Sequence, residues 1–159
     1  MEQNITFRPI TPADEPFLCR LYASTREDEL SVVPWSDTEK ETFLTMQFNA
    51  QHKFYQEQFK QADFDLILLD GEPIGRLYLD CREDEFRIID IALLPEYRRR
   101  GIGSKLLKKI LKDAETAVLP VRIHVEHNNP ALNLYNRLGF RQIEDKGVYL
   151  LMERVPDAR

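Results

Sequence analysis

Ile88-Ile89-Asp90-Ile91-Ala92-Leu93-Leu94-Pro95-Glu96-Tyr97-Arg98-Arg99-Arg100-Gly101-Ile102-Gly103-Ser104 is the stretch that decides the fold. A run of branched apolar residues stops at Pro95, which has no N–H for a sheet ladder and so closes a strand. From Ile102 onward the apolar positions are Leu106, Leu107, Ile110, Leu111 and Ala114, the spacing of an amphipathic helix. Between strand and helix lies a basic turn, with Gly101 and Gly103 where the helix begins. A helix N-terminus presents unpaired N–H groups and the positive end of its dipole, and glycine adds no Cβ to hold an anion away. The spacing therefore predicts strand, phosphate-binding loop and helix.

Two common phosphate loops do not fit. A dinucleotide loop, G-x-G-x-x-G, needs a third glycine at position 106, where Leu106 stands. A Walker loop needs Gly-Lys-Ser/Thr, and the order here is Gly103-Ser104-Lys105. What the residues do spell is R-x-x-G-x-G, with Arg98, Gly101 and Gly103. A glycine turn before a surface helix is the plainer alternative, and a second motif further on weighs between them.

The 159 residues are 43% hydrophobic and 31% charged, which predicts one domain over 1–159 with a core of its own. No apolar run reaches the ~20 residues of a membrane span. Met1-Glu2-Gln3-Asn4 is unlike a secretory leader, so a cytoplasmic setting with no membrane partner is expected. Cys19 and Cys81 have neither metal-ligand nor disulfide spacing, and no metal is expected. A formal charge of −5 argues against a nucleic-acid partner. Residues 95–112 nonetheless hold seven basic side chains, Arg98, Arg99, Arg100, Lys105, Lys108, Lys109 and Lys112, against Glu96 alone. An acidic chain with one basic turn points to a small anionic ligand held there, while the helix lysines read as a solvated face.

Upstream, residues 5–10 read as a first strand. Thr11, Pro12 and Asp14 open a helix that buries Phe17, Leu18, Leu21 and Tyr22. Residues 26–35 have no period and read as a loop. Ser36 and Glu39 have capping-box spacing for a helix to about Phe59. Its apolar residues cover more than one face, as in a core helix or the wall of a ligand groove. Residues 64–70, a tight turn at Gly71-Glu72 and a return from Pro73 form a hairpin, and a third strand after the charged corner 82–85 completes an antiparallel meander. Downstream, Val121, Ile123 and Val125 alternate with Arg122, His124 and Glu126, a strand set parallel to the third meander strand by the helical crossover. Asn129 caps and Pro130 opens a further helix, which Gly139 stops with Phe140 packed behind it. Strands near 141–144 and 148–153 turn about Lys146-Gly147.

The run N-P-A-x-x-L-Y-x-x-x-G-F, from Asn129 through Tyr135 to Phe140, follows R-x-x-G-x-G at the expected distance. Together they resemble the two signatures of the GNAT superfamily, the acyl-CoA-dependent N-acyltransferases. The likeness follows element order over nearly the whole chain and is close in sequence from about Ile88 to Phe140. It implies an α/β (α+β) fold with a mixed central sheet of about six to seven strands and about four helices. In that sheet an antiparallel meander meets a parallel strand across a V-shaped splay. It also implies acetyl-CoA as cosubstrate. The backbone at Ile91 and Leu93 would pair with the pantetheine arm, and Arg98, Arg99, Arg100, Gly101, Ile102, Gly103 and Ser104 would hold the phosphates. Asn129, or Asn128 beside it, would reach the pantetheine arm.

The same resemblance makes Tyr135 the proton donor to the leaving thiolate. The plainer reading is a ring packed with Ala131 and Leu138. In the branch that acetylates protein N-termini, a glutamate base stands where this chain has His124, whose imidazole ordinarily titrates near ~6.5. Another glutamate used in the family falls at Arg87, which cannot take a proton. Glu126 and Asp90 are further candidates, a water relay needs none of them, and His124 as an ordinary edge residue stays open.

The expected reaction is acetyl transfer from acetyl-CoA to a primary amine by direct attack in a ternary complex, because no cysteine in the motifs can carry the acyl group. A non-catalytic CoA-binding sensor or structural module is the alternative. Residues 1–60 hold ten acids against six bases, and Glu27-Asp28-Glu29 fall in the loop that this fold sets on the acceptor side. A small cationic amine or a peptide N-terminus is therefore the expected acceptor, with Trp35 as a cation–π face. Solvated surface acids are the plainer reading. A homodimer is an assembly the family often uses.

Overall fold

Pro95 ends a strand, as its missing N–H requires: Phe86–Leu93 (β4) gives way to a 3-10 turn at Pro95–Tyr97. The structure is a computed structural model and describes residues 4–157. Its other strands are Ile5–Pro9 (β1), Asp63–Leu69 (β2), Glu72–Cys81 (β3), Val121–Glu126 (β5), Arg141–Asp145 (β6) and Tyr149–Arg154 (β7). They lie in a seven-stranded mixed sheet in the order β1-β2-β3-β4-β5-β7-β6. The helices are Glu15–Ser24 (α1), Glu27–Ser31 (α2), Asp37–Gln58 (α3), Ile102–Ala117 (α4) and Leu132–Arg137 (α5), five among the described residues and not about four.

The extra helix is α2, inside the segment read as a loop. Five residues are too few to show a period, but Glu27, Asp28 and Glu29 occupy its first turn, where the helix dipole favours acids. Arg26 pairs with Glu29 at 3.0 Å. These acids thus have a local task. Three other boundaries shift for physical reasons. Thr11 and Asp14 bracket a 3-10 turn at Pro12–Asp14, and α1 begins only at Glu15. The β2–β3 turn is centred one residue early, on Asp70 (φ 50°) and Gly71 (φ 85°), since the favoured two-residue hairpin turn needs positive φ at both positions. Finally, α5 starts at Leu132 and not at Pro130. Asn129 Oδ1 accepts the Ala131 N–H at 2.9 Å and its carbonyl accepts the Leu132 N–H at 3.1 Å, making a separate turn before the helix.

The described residues fall into two compact units. The first holds the residues up to Leu77 together with Ala92–Tyr97. Its core joins Leu18, Tyr22, Phe48 and Leu66, with Ile10, Phe17, Cys19, Leu44 and Leu68 packed against them. The capping box of α3 forms as spelled: Ser36 Oγ accepts the Glu39 N–H at 3.1 Å and Glu39 Oε1 accepts the Ser36 N–H at 3.2 Å. Phe48 is the buried side chain of this long helix, whereas Met46 and Phe54 are exposed. In β3, a Cβ on Gly75 would lie 2.2 Å from the Ala92 carbonyl oxygen and 2.9 Å from Leu93 Cδ2, an approach only glycine admits.

Arg8 donates two guanidinium bonds of 2.8 Å to Asp14 and, against the effect of burial, holds its carboxyl down to about 2. Because the folded-state pKa lies below the ordinary ~3.9, this stabilisation is complete above that pH and lost as pH falls through about 2. Asp14→Asn is expected to cost about 1–2 kcal/mol at neutral pH. Urea unfolding at descending pH should show the variant and the parent converging in acid.

The second unit comprises Tyr78–Ile91 and the residues from Arg98 onward. Here the apolar stripe of α4 is buried at Ile102, Leu106, Leu107, Ile110 and Ala114, while Leu111 at its margin is half-buried. Each large member contributes about 1.5–3 kcal/mol relative to exposure. Val121, Ile123 and Val125 of β5 and Leu150 and Met152 of β7 are buried too. The parallel register pairs Phe86 with Val121, Arg87 with Arg122 and Ile88 with Ile123. The paired register ends at Ile88 and Ile123, while β4 itself continues to Leu93 and β5 to Glu126.

Candidate active site

Two residues in left-handed conformation shape the basic loop, Arg99 at φ 60° and Gly101 at φ 79°. Glycine adopts it freely, whereas for arginine it costs about 1–2 kcal/mol. Turns of this kind aim successive N–H groups toward one point and form anion-binding concavities. No side chain caps α4 at Gly101, and the first helical bond runs from the Lys105 N–H to the Gly101 carbonyl at 3.0 Å. The N–H groups of Ile102, Gly103 and Ser104 therefore lack acceptors among the described residues, at the positive end of a 16-residue helix. Arg98, Arg99 and Arg100 are exposed around them, while the Ile102 side chain turns into the core. This donor set fits a pyrophosphate.

Asn128 and Asn129 are both exposed in the turn after β5. The Asn129 side-chain oxygen Oδ1 is engaged by the Ala131 N–H, leaving the side-chain N–H₂ for a ligand. Tyr135 is 4% exposed and sets its ring edge-on to Phe140 at 5.5 Å. Packing and chemistry are thus not exclusive at this residue. Its hydroxyl has no hydrogen-bond partner among the described residues. Burial, helped by the charge of Asp90, pushes the phenol's pKa well above its ordinary value and keeps it protonated.

On the opposite face of β5 stand Arg122, His124 and Glu126. His124 is exposed, and its Nδ1 lies 3.3 Å from Nη1 of Arg87 on β4. Arg87 is itself held by Glu85, at 3.0 Å, and Glu85 also accepts from Arg82 at 3.0 Å and from Arg122 at 2.8 Å. Arg122 continues to Glu153 at 2.7 Å and Arg82 to Asp80 at 2.8 Å. Partial burial, then the Arg87 and Lys146 charges, lower the His124 pKa. Glu126 is half-buried on the same face.

The second unit thus collects Ile91, residues 98–104, His124, Glu126, Asn128, Asn129 and Tyr135, whereas Leu93 belongs to the first. Asp90, considered as a base, accompanies the Tyr135 phenol. The ionic cluster around Glu85 lies in what the sequence presents only as a charged corner. Glu85 just before β4, and Arg87 within it, in register with Arg122 on β5, are the signal for this cluster. No side-chain pattern announced the left-handed Arg99.

The family model of the acetyltransferase (GNAT) family matches residues 20–140. An N-alpha-acetyltransferase of Sulfurisphaera tokodaii is 31% identical over 121 residues, 64% of this chain and 71% of that protein. A [ribosomal protein bS18]-alanine N-acetyltransferase of Haemophilus influenzae is 26% identical over 77% of this chain and 75% of its own. In three dimensions, the PaiA N-acetyltransferase of Thermoplasma acidophilum, solved in complex with coenzyme A, superposes with a TM-score of 0.70 at 20% identity, covering 96% of this chain and 99% of that one. The chain belongs to the acetyltransferase (GNAT) family. It is an acetyl-CoA-dependent N-acetyltransferase, with acetyl-CoA as cosubstrate. No helix among the described residues is long and apolar enough to cross a membrane.

Proposed function

We propose that this enzyme acetylates the α-amino group of peptide or protein N-termini by direct attack in a ternary complex, in the cytoplasm. The observation that carries the chemistry is a protonated, unpartnered phenol, Tyr135, in the same compact unit as the uncapped N-terminus of α4. The names of the relatives, an N-alpha-acetyltransferase and an alanine N-acetyltransferase acting on a ribosomal protein, support the acceptor. Two free cysteines agree with the compartment. The acids of α2, with a local task of their own, are not needed for this reading.

Each residue's part follows from its chemistry. The N–H groups of Ile102, Gly103 and Ser104, flanked by Arg98, Arg99 and Arg100, bind the phosphates and set the register of the ligand. The Asn129 amide orients the pantetheine arm. Acetyl-CoA, when bound, supplies an activated thioester. Tyr135 donates its phenolic proton to the departing sulfur, and its burial excludes water from that exchange. The acceptor attacks as a free amine, its ammonium proton having passed to solvent, and the proton its nitrogen sheds as the amide forms restores the Tyr135 phenol.

Thiol release at saturating acetyl-CoA, measured across an amine panel, tests this. Peptides with a free N-terminus are expected to exceed N-blocked lysine peptides, spermidine and aminoglycosides in kcat/KM by at least about 10-fold. Preference for the small amines would overturn the peptide acceptor. Coenzyme A binding with no thiol release from any amine would favour the sensor module.

A further inference from the structure

We propose that Arg87, anchored on Glu85, is a positioning residue that holds His124 with its proton on Nε2, so that His124 meets the acceptor as a hydrogen-bond donor to a carbonyl oxygen and not as the base. A guanidinium has five N–H donors and no acceptor. The 3.3 Å contact from Arg87 Nη1 therefore engages the lone pair of His124 Nδ1. A neutral imidazole with Nδ1 accepting must carry its hydrogen on Nε2. The direction of Arg87 is not adjustable, since its Nη2 bonds both carboxylate oxygens of Glu85, at 3.0 and 3.3 Å. Glu85 is 3% exposed and is fixed in turn by Arg82 and Arg122.

The charges around His124 oppose a second proton. Arg87 from β4 and Lys146 from the β6–β7 turn disfavour it, Glu144 of β6 and Glu85 favour it, and partial burial adds to the first pair, so the balance lowers the pKa. The β7 residue in register, Leu151, brings no charge. At neutral pH the ring is uncharged, with one nitrogen occupied and the other already protonated. It then has no lone pair for an ammonium proton. Its exposed Nε2–H, without a partner among the described residues, can only donate.

This inference rests on the N-terminal acceptor reading and refines it. In an N-terminal residue the carbonyl oxygen lies two bonds beyond the amine-bearing carbon, so a donor that meets the acceptor there bonds it close to the attacking nitrogen. An alkylamine or polyamine has no such oxygen. His124 would thus select an α-amino carbonyl over a plain amine.

Nitrogen-15 NMR of the three histidines, with His124 assigned by its absence in His124→Gln, tests the tautomer in the full chain without turnover. The expected wild-type signal at neutral pH is the Nε2–H form alone. Arg87→Met should bring in the second tautomer and raise the His124 midpoint toward ~6.5. Arg87→Lys is the substitute should the methionine variant fail to fold. Kinetically, with a dipeptide amide as acceptor, His124→Ala should raise the acceptor KM about 10-fold, the scale of one hydrogen bond, and His124→Gln should recover most of that loss through its amide N–H. With an alkylamine acceptor, which has no carbonyl to bond, His124→Gln should show no recovery over His124→Ala. A wild-type Nδ1–H signal would overturn the positioning role of Arg87. An acidic limb of kcat/KM abolished in His124→Gln would make His124 the base. Failure to acetylate any peptide would sink the donor role together with the acceptor reading, while the NMR result would still judge Arg87.

Discussion

In a protein carrying Gly103→Glu, acetyl-CoA is expected to give no thermal stabilisation. A ligand that binds only the folded state, present at ~100 times its dissociation constant, adds about 2.7 kcal/mol of stability, or roughly 5–10 °C in Tm for a domain of this size. That energy depends on three N–H groups at the start of α4, which have no acceptor of their own. Gly103 is the second residue of α4, in ordinary helical conformation. A glutamate there keeps the helix while placing bulk and negative charge where the phosphates must lie. Gly101→Glu should act likewise, but at φ 79° it also strains the backbone and lowers the Tm of the free protein. Comparing the two separates loss of the ligand from loss of the fold. A shift that survives in both variants would mean that the phosphates bind elsewhere.

What could be read in advance was whatever carries its own local signal. Pro95 stops β4 by lacking an N–H, Ser36 and Glu39 cap α3 with each other, and the stripe from Ile102 to Ala114 is buried except at its margin, Leu111. The two motifs were legible for the same reason, being contiguous and positioned on elements with clear periods. The features missed depend on residues distant in sequence. Gly75 looks like any strand glycine until the Ala92 carbonyl arrives 2.2 Å from where its Cβ would be. Glu85 sits in a run of charges indistinguishable from a solvated corner until β5 brings Arg122 against it. His124 was legible as a titratable residue on the outer face of β5. Its tautomer was not, because that is decided by Arg87, thirty-seven residues away. The short helix α2 escaped because five residues give less than two turns of pattern.

Tyr135→Phe is expected to lower kcat by about 10²-fold while leaving stability and the KM for acetyl-CoA nearly unchanged. The phenylalanine keeps the ring, its burial and its edge-on contact with Phe140. Only a hydroxyl with no partner among the described residues is removed, so no buried group is left unsatisfied and the change in stability should stay within about 0.5 kcal/mol. The loss therefore falls on the transition state alone, where a departing thiolate goes unprotonated. The pH dependence carries a second check. Burial and the neighbouring Asp90 charge both raise the phenol's pKa, so the acid form persists well past neutral pH. No alkaline limb of kcat should be attributable to Tyr135, and the profiles of the two proteins over roughly pH 6–9 should differ in height but not in shape. An alkaline limb seen in the parent and missing from the Phe variant would mean that the phenol titrates with an ordinary pKa. Equal kcat in the two proteins would leave Tyr135 a core residue, with the thiolate leaving unaided.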